Sequence, residues 1–264
     1  MPNKKTWESV NVVSEYSGDT ELQAPEKTIF GELDPSLPTM DVLDIGVGAG
    51  RTTAHLAKRA KSYIGIDYSQ PMIDACKRRF GDTLSNAILK VGDAVDMYEV
   101  EADSVDLILF SFNGIDCVSH VDRLKIFREV HRIGRNGAFF CFSSHNILSV
   151  DCLNPFRAHL SRNPFRTFRG VVGWLDWWFR LRPKVKIETL RAAPHAIIND
   201  GAHDNDLSLY YIQPREQLAQ LTPWFSDVRV FSLESGEEIT GSGEIDCSTD
   251  PWLYYLCRIK AKPA

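Results

Sequence analysis

The sequence lacks several features that mark particular classes of protein. No apolar run approaches the ~20 residues that a membrane-spanning helix needs. The opening residues, MPNKKTWESVNVV, contain no apolar stretch of signal-peptide length, so we expect a cytoplasmic location. The six cysteines include no C-x-x-C pair, which favours reduced thiols over a disulfide framework or a zinc site. A net charge of −5 weighs against nucleic acid as the partner of the whole molecule.

Length and charge distribution indicate one globular domain with an insertion of unusual composition. A chain of 264 residues, 44% hydrophobic and 25% charged, fits one α/β domain with a sizeable insertion, or two small domains at most. Residues 156–191 hold nine Lys or Arg against two acids, a local charge of +7, so the remainder carries −12. Aromatic residues are interleaved with these basic residues: Phe156, Phe165, Phe168, Trp174, Trp177, Trp178 and Phe179.

A short apolar strand runs directly into three alternating glycines. Residues 42–45 are typical of a strand buried on both faces, and Gly46, Gly48 and Gly50 precede a helix predicted over residues 51–60. Such a unit brings backbone amides and a helix N-terminus close to a ligand, because glycine leaves the main chain uncovered. The spacing excludes the dinucleotide fingerprint G-x-G-x-x-G, since the third glycine comes one residue early. No Lys-Ser/Thr pair follows to make a phosphate-binding P-loop.

An acid precedes the glycines, and the full pattern is Asp44-x-Gly46-x-Gly48-x-Gly50. This pattern resembles motif I of the class I S-adenosylmethionine-dependent methyltransferases. The resemblance covers residues 40–146 by specific motifs and 213–260 by architecture only. It implies a Rossmann-like fold, S-adenosylmethionine as cofactor, S-adenosylhomocysteine as product, and cofactor contacts from Asp44 and the three glycines.

The N-terminal residues 1–39 are predicted to be a cap segment. In the resembled family such leaders often fold over the cofactor, and the alternative is a frayed terminus. On the first interpretation Tyr16 is a candidate cofactor contact.

Two further strands lead into acids. The strand at residues 62–67 ends in Asp67, 17 residues beyond Gly50, near the ~20-residue interval at which a carboxylate meets ribose hydroxyls. The strand at residues 87–91 is followed by Asp93, which can accept a hydrogen bond from an adenine amino group. The other candidate cofactor contacts beside these two acids are Tyr68, Met72 and Ala94.

Strands predicted at residues 104–110 and 138–143 follow, alternating with helices. Strands at 227–233 and 252–259 then complete a doubly wound, seven-stranded, mostly parallel α/β sheet. Ligands of such sheets lie beyond the carboxyl ends of the strands. Residues at this edge after the fourth strand, all candidate cofactor contacts, are Ser111, Phe112 and Asn113.

The predicted domain organisation follows from this sheet. Residues 40–146 and 213–264 form the cofactor-binding domain, and residues 147–212 form a lid inserted between the fifth and sixth strands. The insertion is expected to choose the acceptor.

Methyl transfer from a sulfonium is an in-line displacement, for which the protein mainly supplies alignment and a dry site. An oxygen nucleophile still benefits from a general base, whereas a neutral amine needs little beyond orientation. The candidate bases are His145, placed on the loop after the fifth strand, with Tyr211 and His203 in the insertion. Each also has an ordinary structural interpretation in a loop, a turn or the core. No metal is expected, because Asp116 after the fourth strand has no acidic counterpart close after the fifth.

We therefore expect a methyltransferase that acts on oxygen or nitrogen of a small acceptor, and the basic insertion fits an anionic one. The insertion can equally be an amphipathic helix packed on the sheet, an interfacial helix in peripheral contact with a membrane, or a platform for single-stranded nucleic acid. An RNA or protein methyltransferase is one alternative function. A non-catalytic protein that binds S-adenosylmethionine or a nucleotide is another.

Overall fold

The structure is a computed structural model that describes residues 3–81, 83–152, 164–181 and 185–262, with only the backbone described at a few positions such as His203. Within these residues ten strands form one sheet. The strands are β1 (Asp41–Ile45), β2 (Ser62–Asp67), β3 (Ala87–Val91), β4 (Val105–Phe110), β5 (Gly134–Asn146), β6 (His195–Ile198), β7 (Leu209–Ile212), β8 (Phe225–Ser232), β9 (Glu238–Ile239) and β10 (Trp252–Ile259). The helices are α1 (Lys4–Trp7), α2 (Val10–Ser17), α3 (Ala24–Leu33), α4 (Thr53–Leu56), α5 (Gln70–Phe80), α6 (His120–Ile133), α7 (Pro164–Asp176), α8 (Ile187–Ala192), α9 (Ala202–Asn205), α10 (Pro214–Leu221) and α11 (Ser242–Cys247).

The sheet has the strand order β3-β2-β1-β4-β5-β10-β8-β9. Its first five strands are parallel; β10 pairs antiparallel with β5, and β8 pairs antiparallel with β10. The central strands β1 and β4 are buried on both faces, which explains why they are nearly continuous apolar runs. The carboxyl ends of the parallel strands therefore meet at one edge, where ligands of this architecture bind.

Helices cover both faces of the sheet. On one face α6 packs Phe127 and Val130 against β4, β5 and β8. On the other face α3, α4 and α5 pack Ile29, Leu56 and Ile73 against β1 and β2. The two clusters of fully buried side chains make this a three-layer α/β fold, as predicted.

The seven predicted strands are all present, but the described chain has ten strands instead of seven. The short β9 pairs with β8, and β6 and β7 come from the segment predicted to be the insertion. β7 runs parallel to the end of β5, where Tyr211 lies opposite His145. Part of residues 147–212 thus extends the sheet itself.

Two predicted boundaries also differ from the structure. The helix predicted over residues 51–60 is reduced to the single turn of α4, Thr53–Leu56, with turns on both sides. The fifth strand was predicted at 138–143 and spans Gly134–Asn146, because β10 and β7 both supply pairing partners near its end. His145 consequently lies in a strand, and its prediction as a loop residue was wrong.

The N-terminal segment lies across the carboxyl edge of the sheet. The Asn3 amide Nδ2 donates to the carbonyl oxygens of Cys117 (3.2 Å) and Ser208 (3.0 Å), and the residue is 2% exposed. The Ser69 hydroxyl, which caps α5, donates to the carbonyl of Trp7 (3.0 Å). These bonds join α1 to the loops after β2 and β4 and to the start of β7.

Candidate active site

The glycine turn after β1 has a backbone that only glycine adopts easily. Gly46, Gly48 and Gly50 all have positive φ, of 65°, 55° and 91°. A Cβ atom at Gly50 would lie 2.6 Å from the Phe80 ring and 2.8 Å from the Cys76 sulfur. A Cβ atom at Gly48 would meet open space, with only the Gly46 carbonyl oxygen at 4.0 Å. The turn therefore packs tightly against α5 on one side and leaves its main chain uncovered on the other.

Asp67 at the end of β2 lies directly against this turn. Its Oδ2 accepts the Gly48 N–H (3.0 Å), and its Oδ1 accepts the Ser69 N–H (2.8 Å). Burial raises the pKa of the Asp67 carboxyl, and the two backbone hydrogen bonds partly oppose that shift. Each carboxylate oxygen keeps a second lone pair for a ligand hydroxyl. The structure thus brings the predicted acid and the predicted glycines together.

A pocket of about 900 Å³, counting its open mouth, lies beside the glycine turn. The N-terminal segment contributes Trp7 and Tyr16 to its wall, and their rings are 5.5 Å apart. The other predicted residues that line it are Asp44, Gly46, Gly48, Asp67, Tyr68, Met72, Ala94, Ser111 and Phe112.

The remaining predicted contacts lie close to this lining. Gly50 is the buried end of the glycine turn. Asp93 stands between Gly92 and Ala94, which both line the pocket, and its Oδ1 accepts the Val95 N–H (2.9 Å). Asn113 has left-handed backbone, and its buried Oδ1 has no hydrogen-bond partner among the described residues.

Asp44 has a structural environment as well as a place on the pocket wall. It is 1% exposed, and its Oδ2 accepts hydrogen bonds from Thr52 Oγ1 (2.5 Å) and Tyr63 Oη (2.6 Å). Burial raises the pKa of this carboxyl to about 6, against the opposing effect of these two hydrogen bonds. Asp44 thus couples the glycine turn to the neighbouring strand β2.

A buried charge cluster fastens α3 to the glycine turn. Glu26, which is fully buried, binds the Arg51 guanidinium through both carboxylate oxygens (2.6 and 2.7 Å). Ser111 and Tyr254 also donate to Glu26. The Arg51 guanidinium lies 4.9 Å from the Phe112 ring centre, at the edge of the pocket. Sequence reasoning missed Glu26 and Arg51 as site residues, since they lie 25 positions apart and outside the recognised motif.

His145 belongs to a second buried cluster. Asp116 Oδ2 lies 2.7 Å from His145 Nδ1 and accepts the His145 backbone N–H (2.7 Å). The Asp116 carboxylate makes Nδ1 the protonated nitrogen, which leaves Nε2 as the acceptor. Asn113 Nδ2 lies 3.3 Å from Nε2. Arg123 supports the carboxylate from behind, with Nη1 at 2.5 Å from Asp116 Oδ1.

The other two predicted bases have different surroundings. Tyr211 is 4% exposed, and its ring lies 4.7 Å from the His145 ring, while its hydroxyl donates to Asp200 (2.8 Å). Burial raises the pKa of Tyr211 far above its ordinary value, so this hydroxyl stays protonated. The His203 side chain lies outside the described part of the chain; only its place in α9 is known.

The described residues contain no group of three or more His, Cys, Asp or Glu side chains placed to hold a metal ion. Asp116, weighed from the sequence as a metal ligand, is paired with Arg123 and His145.

Comparison with known proteins identifies the central part of the chain. The family model described as a methyltransferase domain matches residues 42–137. Over these residues the chain is similar to the methyltransferase domain family. The matched residues include the glycine turn, Asp67 and Asp93.

Two curated relatives of this methyltransferase domain are N-methyltransferases. The chain is 30% identical over 160 residues to ajmaline N-methyltransferase of Rauvolfia serpentina. The match covers 58% of this chain and 52% of that protein. It is 35% identical over 88 residues to phosphoethanolamine N-methyltransferase 1 of Caenorhabditis elegans, covering 33% of this chain and 18% of that protein. The chain thus spans about half the length of the first relative and about a fifth of the second.

Solved structures share the fold of this methyltransferase domain. An S-adenosylmethionine-dependent methyltransferase from Mesorhizobium loti superposes with a TM-score of 0.59 at 18% identity, over 89% of this chain and 97% of that one. Phosphoethanolamine N-methyltransferase 1 of Haemonchus contortus, in complex with phosphoethanolamine and S-adenosylhomocysteine, gives a TM-score of 0.59 at 15% identity. That match covers 98% of this chain and 49% of the other.

The residues of this methyltransferase domain fit its cofactor. An uncovered glycine backbone, a carboxylate with free lone pairs and an apolar wall that includes Met72 and Ala94 lie around one pocket. These are the groups that an amino-acid chain, a ribose and an adenine ring need. Asn113 Oδ1, which has no hydrogen-bond partner in the part of the chain that the structure describes, offers one further buried acceptor beside the pocket.

Proposed function

We propose that this chain transfers the methyl group of S-adenosylmethionine to oxygen or nitrogen of a small molecule. The observation that carries the proposal is the meeting of four strand ends at one pocket, which is lined by the glycine turn, Asp67, Ala94 and Ser111. The curated relatives, both named as N-methyltransferases, support nitrogen as the acceptor atom. The basic composition of residues 156–191 supports an acceptor that carries negative charge.

We propose that residues 1–39 act as a cap, and residues 147–212 as a lid over the acceptor. Support comes from Trp7 and Tyr16 in the pocket wall and from β7, which places Tyr211 against His145. A cytoplasmic location stays a prediction from the sequence.

In this proposal the cofactor, when bound, supplies an activated methyl group, and the chain supplies alignment and exclusion of water. The proposed role of Asp67 is to accept hydrogen bonds from the ribose hydroxyls while Gly48 holds its carboxylate in place. The proposed role of His145 is to accept a proton from the acceptor at Nε2. Asp116 keeps the Nδ1 proton in place and so presents Nε2 as the base.

Cofactor binding tests the first half of the proposal. Isothermal titration of the wild type should show binding of S-adenosylmethionine and S-adenosylhomocysteine and none of NAD. Asp67→Ala should weaken both affinities at least about tenfold, because a buried hydroxyl pair loses its acceptor. Asp74→Ala, on the exposed side of α5, is the matched control and should bind as the wild type does. Tight NAD binding without the sulfur ligands would overturn the cofactor assignment.

Turnover tests the second half. Incubation with S-adenosylmethionine and a metabolite extract should yield a product heavier than its precursor by one methylene group. With an acceptor that must lose a proton, a hydroxyl or an ammonium group, His145→Gln should lower kcat about hundredfold and leave cofactor affinity unchanged, since only proton transfer is lost. His131→Gln, half-exposed on α6, is the control. Cofactor binding without any product would favour the non-catalytic alternative, and an unchanged kcat would remove His145 as the base.

A further inference from the structure

The helix at residues 164–181, hereafter the insertion helix, is fixed to the protein by one face. It consists of α7 and a π-helical turn, Trp177–Leu181. The Trp177 side chain is 2% exposed, and its Nε1 donates to the carbonyl of Asn199 (2.8 Å). One turn earlier, Asn205 Nδ2 donates to the carbonyl of Gly173 (3.0 Å). The face that carries Gly173 and Trp177 therefore points to the protein.

The opposite face of the insertion helix is apolar and open to solvent. Phe168, Val172, Leu175 and Phe179 are 70%, 50%, 41% and 73% exposed. Their spacing of four, three and four residues places them within about 60° of one another at 3.6 residues per turn. The same geometry places Gly173 and Trp177 on roughly the other side of the helix. Four large apolar side chains thus form a continuous stripe that faces away from the protein.

The segment that contains this stripe is basic although the chain as a whole is acidic. Residues 156–191 carry +7, while the whole chain carries −5. Of these cations, Arg180 keeps 76% of its side chain exposed and Lys186 is exposed at the start of α8. Trp178 is 41% exposed next to the stripe, and tryptophan is enriched at the boundary between lipid headgroups and hydrocarbon.

We propose that the insertion helix lies flat on an anionic lipid bilayer, with its apolar stripe among the acyl chains and its cations among the headgroups. Apolar residues on one side, cations beside them and tryptophan between them are the composition of interfacial helices. No helix of the described residues has the length and apolar content to cross a bilayer. Contact is therefore with the surface of the membrane.

The observations favour lipid over the two other macromolecular partners. A platform for single-stranded nucleic acid needs neighbouring aromatic rings for successive bases to stack on, and Val172 and Leu175 separate the rings of Phe168 and Phe179 in the stripe. The core of a protein interface is depleted of charge, whereas residues 156–191, which contain the stripe, carry a net charge of +7. An anionic bilayer satisfies both the stripe and the cations.

Sedimentation with lipid vesicles tests the proposal on the full chain. Vesicles of phosphatidylcholine and phosphatidylglycerol, mixed about three to one, should bind the protein, and pure phosphatidylcholine should bind it about tenfold less. The double variant Phe168→Ser, Phe179→Ser should weaken binding to the mixed vesicles at least about tenfold, because its acyl-chain contacts are lost. Arg180→Gln with Lys186→Gln should weaken it about tenfold, and added salt should mimic that change.

The matched control is Tyr98→Ser with Val121→Ser, since both residues are exposed apolar side chains outside the insertion helix. All variants should keep the wild-type melting temperature and affinity for S-adenosylhomocysteine; if the double variant melts early, the single substitutions replace it. Equal binding of both vesicle types, or an equal loss in stripe and control variants, would overturn the proposal. So would absence of vesicle binding combined with a dimer or an RNA complex that the stripe substitutions abolish.

Discussion

Each of the two buried clusters near the pocket contains an arginine, and the two arginines differ in how far they are enclosed. Arg51 is 9% exposed at the edge of the pocket and pairs with Glu26, which comes from a separate N-terminal helix. Arg123 is fully buried and pairs with Asp116 only seven positions away, with Ser144 and Gln217 as further partners. Both pairs fix a loop beyond a strand end. Only the Arg51 pair is within reach of solvent.

This difference in burial indicates different roles for the Arg51 and Arg123 pairs. A fully buried ion pair is costly to break, because either partner alone is an uncompensated charge in a low dielectric. The Arg123 pair therefore keeps the Asp116–His145 arrangement rigid. The Arg51 pair joins the N-terminal segment to the glycine turn, and because Arg51 lies at the edge of the pocket, water can reach its guanidinium when Glu26 loses its charge. Substitutions that remove one partner of each pair test this comparison.

The largest effect is expected from Arg123→Met. It leaves Asp116 buried without its cation and should lower the free energy of unfolding by about 3–5 kcal/mol. Urea unfolding followed by circular dichroism measures the change. Arg128→Met, exposed on the same helix, is the control and should change stability by less than about 0.5 kcal/mol. Equal losses in the two variants would mean that the Arg123 pair does not differ from surface charge.

A smaller effect is expected from Glu26→Gln, which keeps the shape of the side chain and removes its charge. The free energy of unfolding should fall by about 1–3 kcal/mol, and affinity for S-adenosylhomocysteine should fall about tenfold as the cap loosens. Calorimetry on the same protein gives both values. The control is Glu32→Gln on the same helix. It removes an exposed ion pair with Arg229 and should not change the cofactor affinity. A loss of stability without a loss of affinity would separate Glu26 from the pocket.

The smallest effect concerns Asp44, a buried carboxylate whose hydrogen-bond partners are hydroxyls instead of a guanidinium. Burial raises its pKa to about 6, so the folded state holds a proton that the unfolded state releases above its ordinary pKa of about 3.8. Its contribution to stability is therefore full below pH 3.8 and is lost as the pH rises through about 6. Relative to Asp44→Asn, the wild-type melting temperature should fall by a few degrees across this window.

Asp41 provides a control of opposite sign. Hydrogen bonds from Ser62 and Lys61 lower the pKa of its carboxyl against the effect of burial. Its contribution is present above the ordinary pKa and is lost only in more acidic solution. Relative to Asp41→Asn, the wild type should therefore lose stability as the pH falls below about 4. The same direction of change in both variants would contradict the assigned environment of Asp44.

Local patterns explain how much of the fold was predictable. The bounds of β2, Ser62–Asp67, and β3, Ala87–Val91, match the prediction because short apolar runs and turn residues define them. The end of β5 does not, since Ser144, His145 and Asn146 are polar and become strand only through β10 and β7. Pairing with strands distant in sequence decides whether such residues are strand or loop, and the local sequence pattern does not indicate that pairing.

The candidate site divides in the same way. Its glycine turn and Asp67 lie within 22 consecutive residues, so one motif and one interval were enough to predict their meeting. The Glu26–Arg51 pair and the Asp116–Arg123 support of His145 depend on side chains from separate elements. The sequence contained one weak signal, since Gln23 and Glu26 form a capping box at the start of α3. That signal indicates a helix start and says nothing about Arg51.

The Asn3 side chain makes two hydrogen bonds that hold the N-terminal segment beside the pocket. The Asn3 amide donates to the carbonyl oxygen of Cys117, a residue that lines the pocket, and to that of Ser208, directly before β7. Because one side chain makes both hydrogen bonds, a displacement of Asn3 breaks them together. The wall of the pocket at Cys117 and the segment that leads into β7 would therefore lose their contact with the N-terminal residues together.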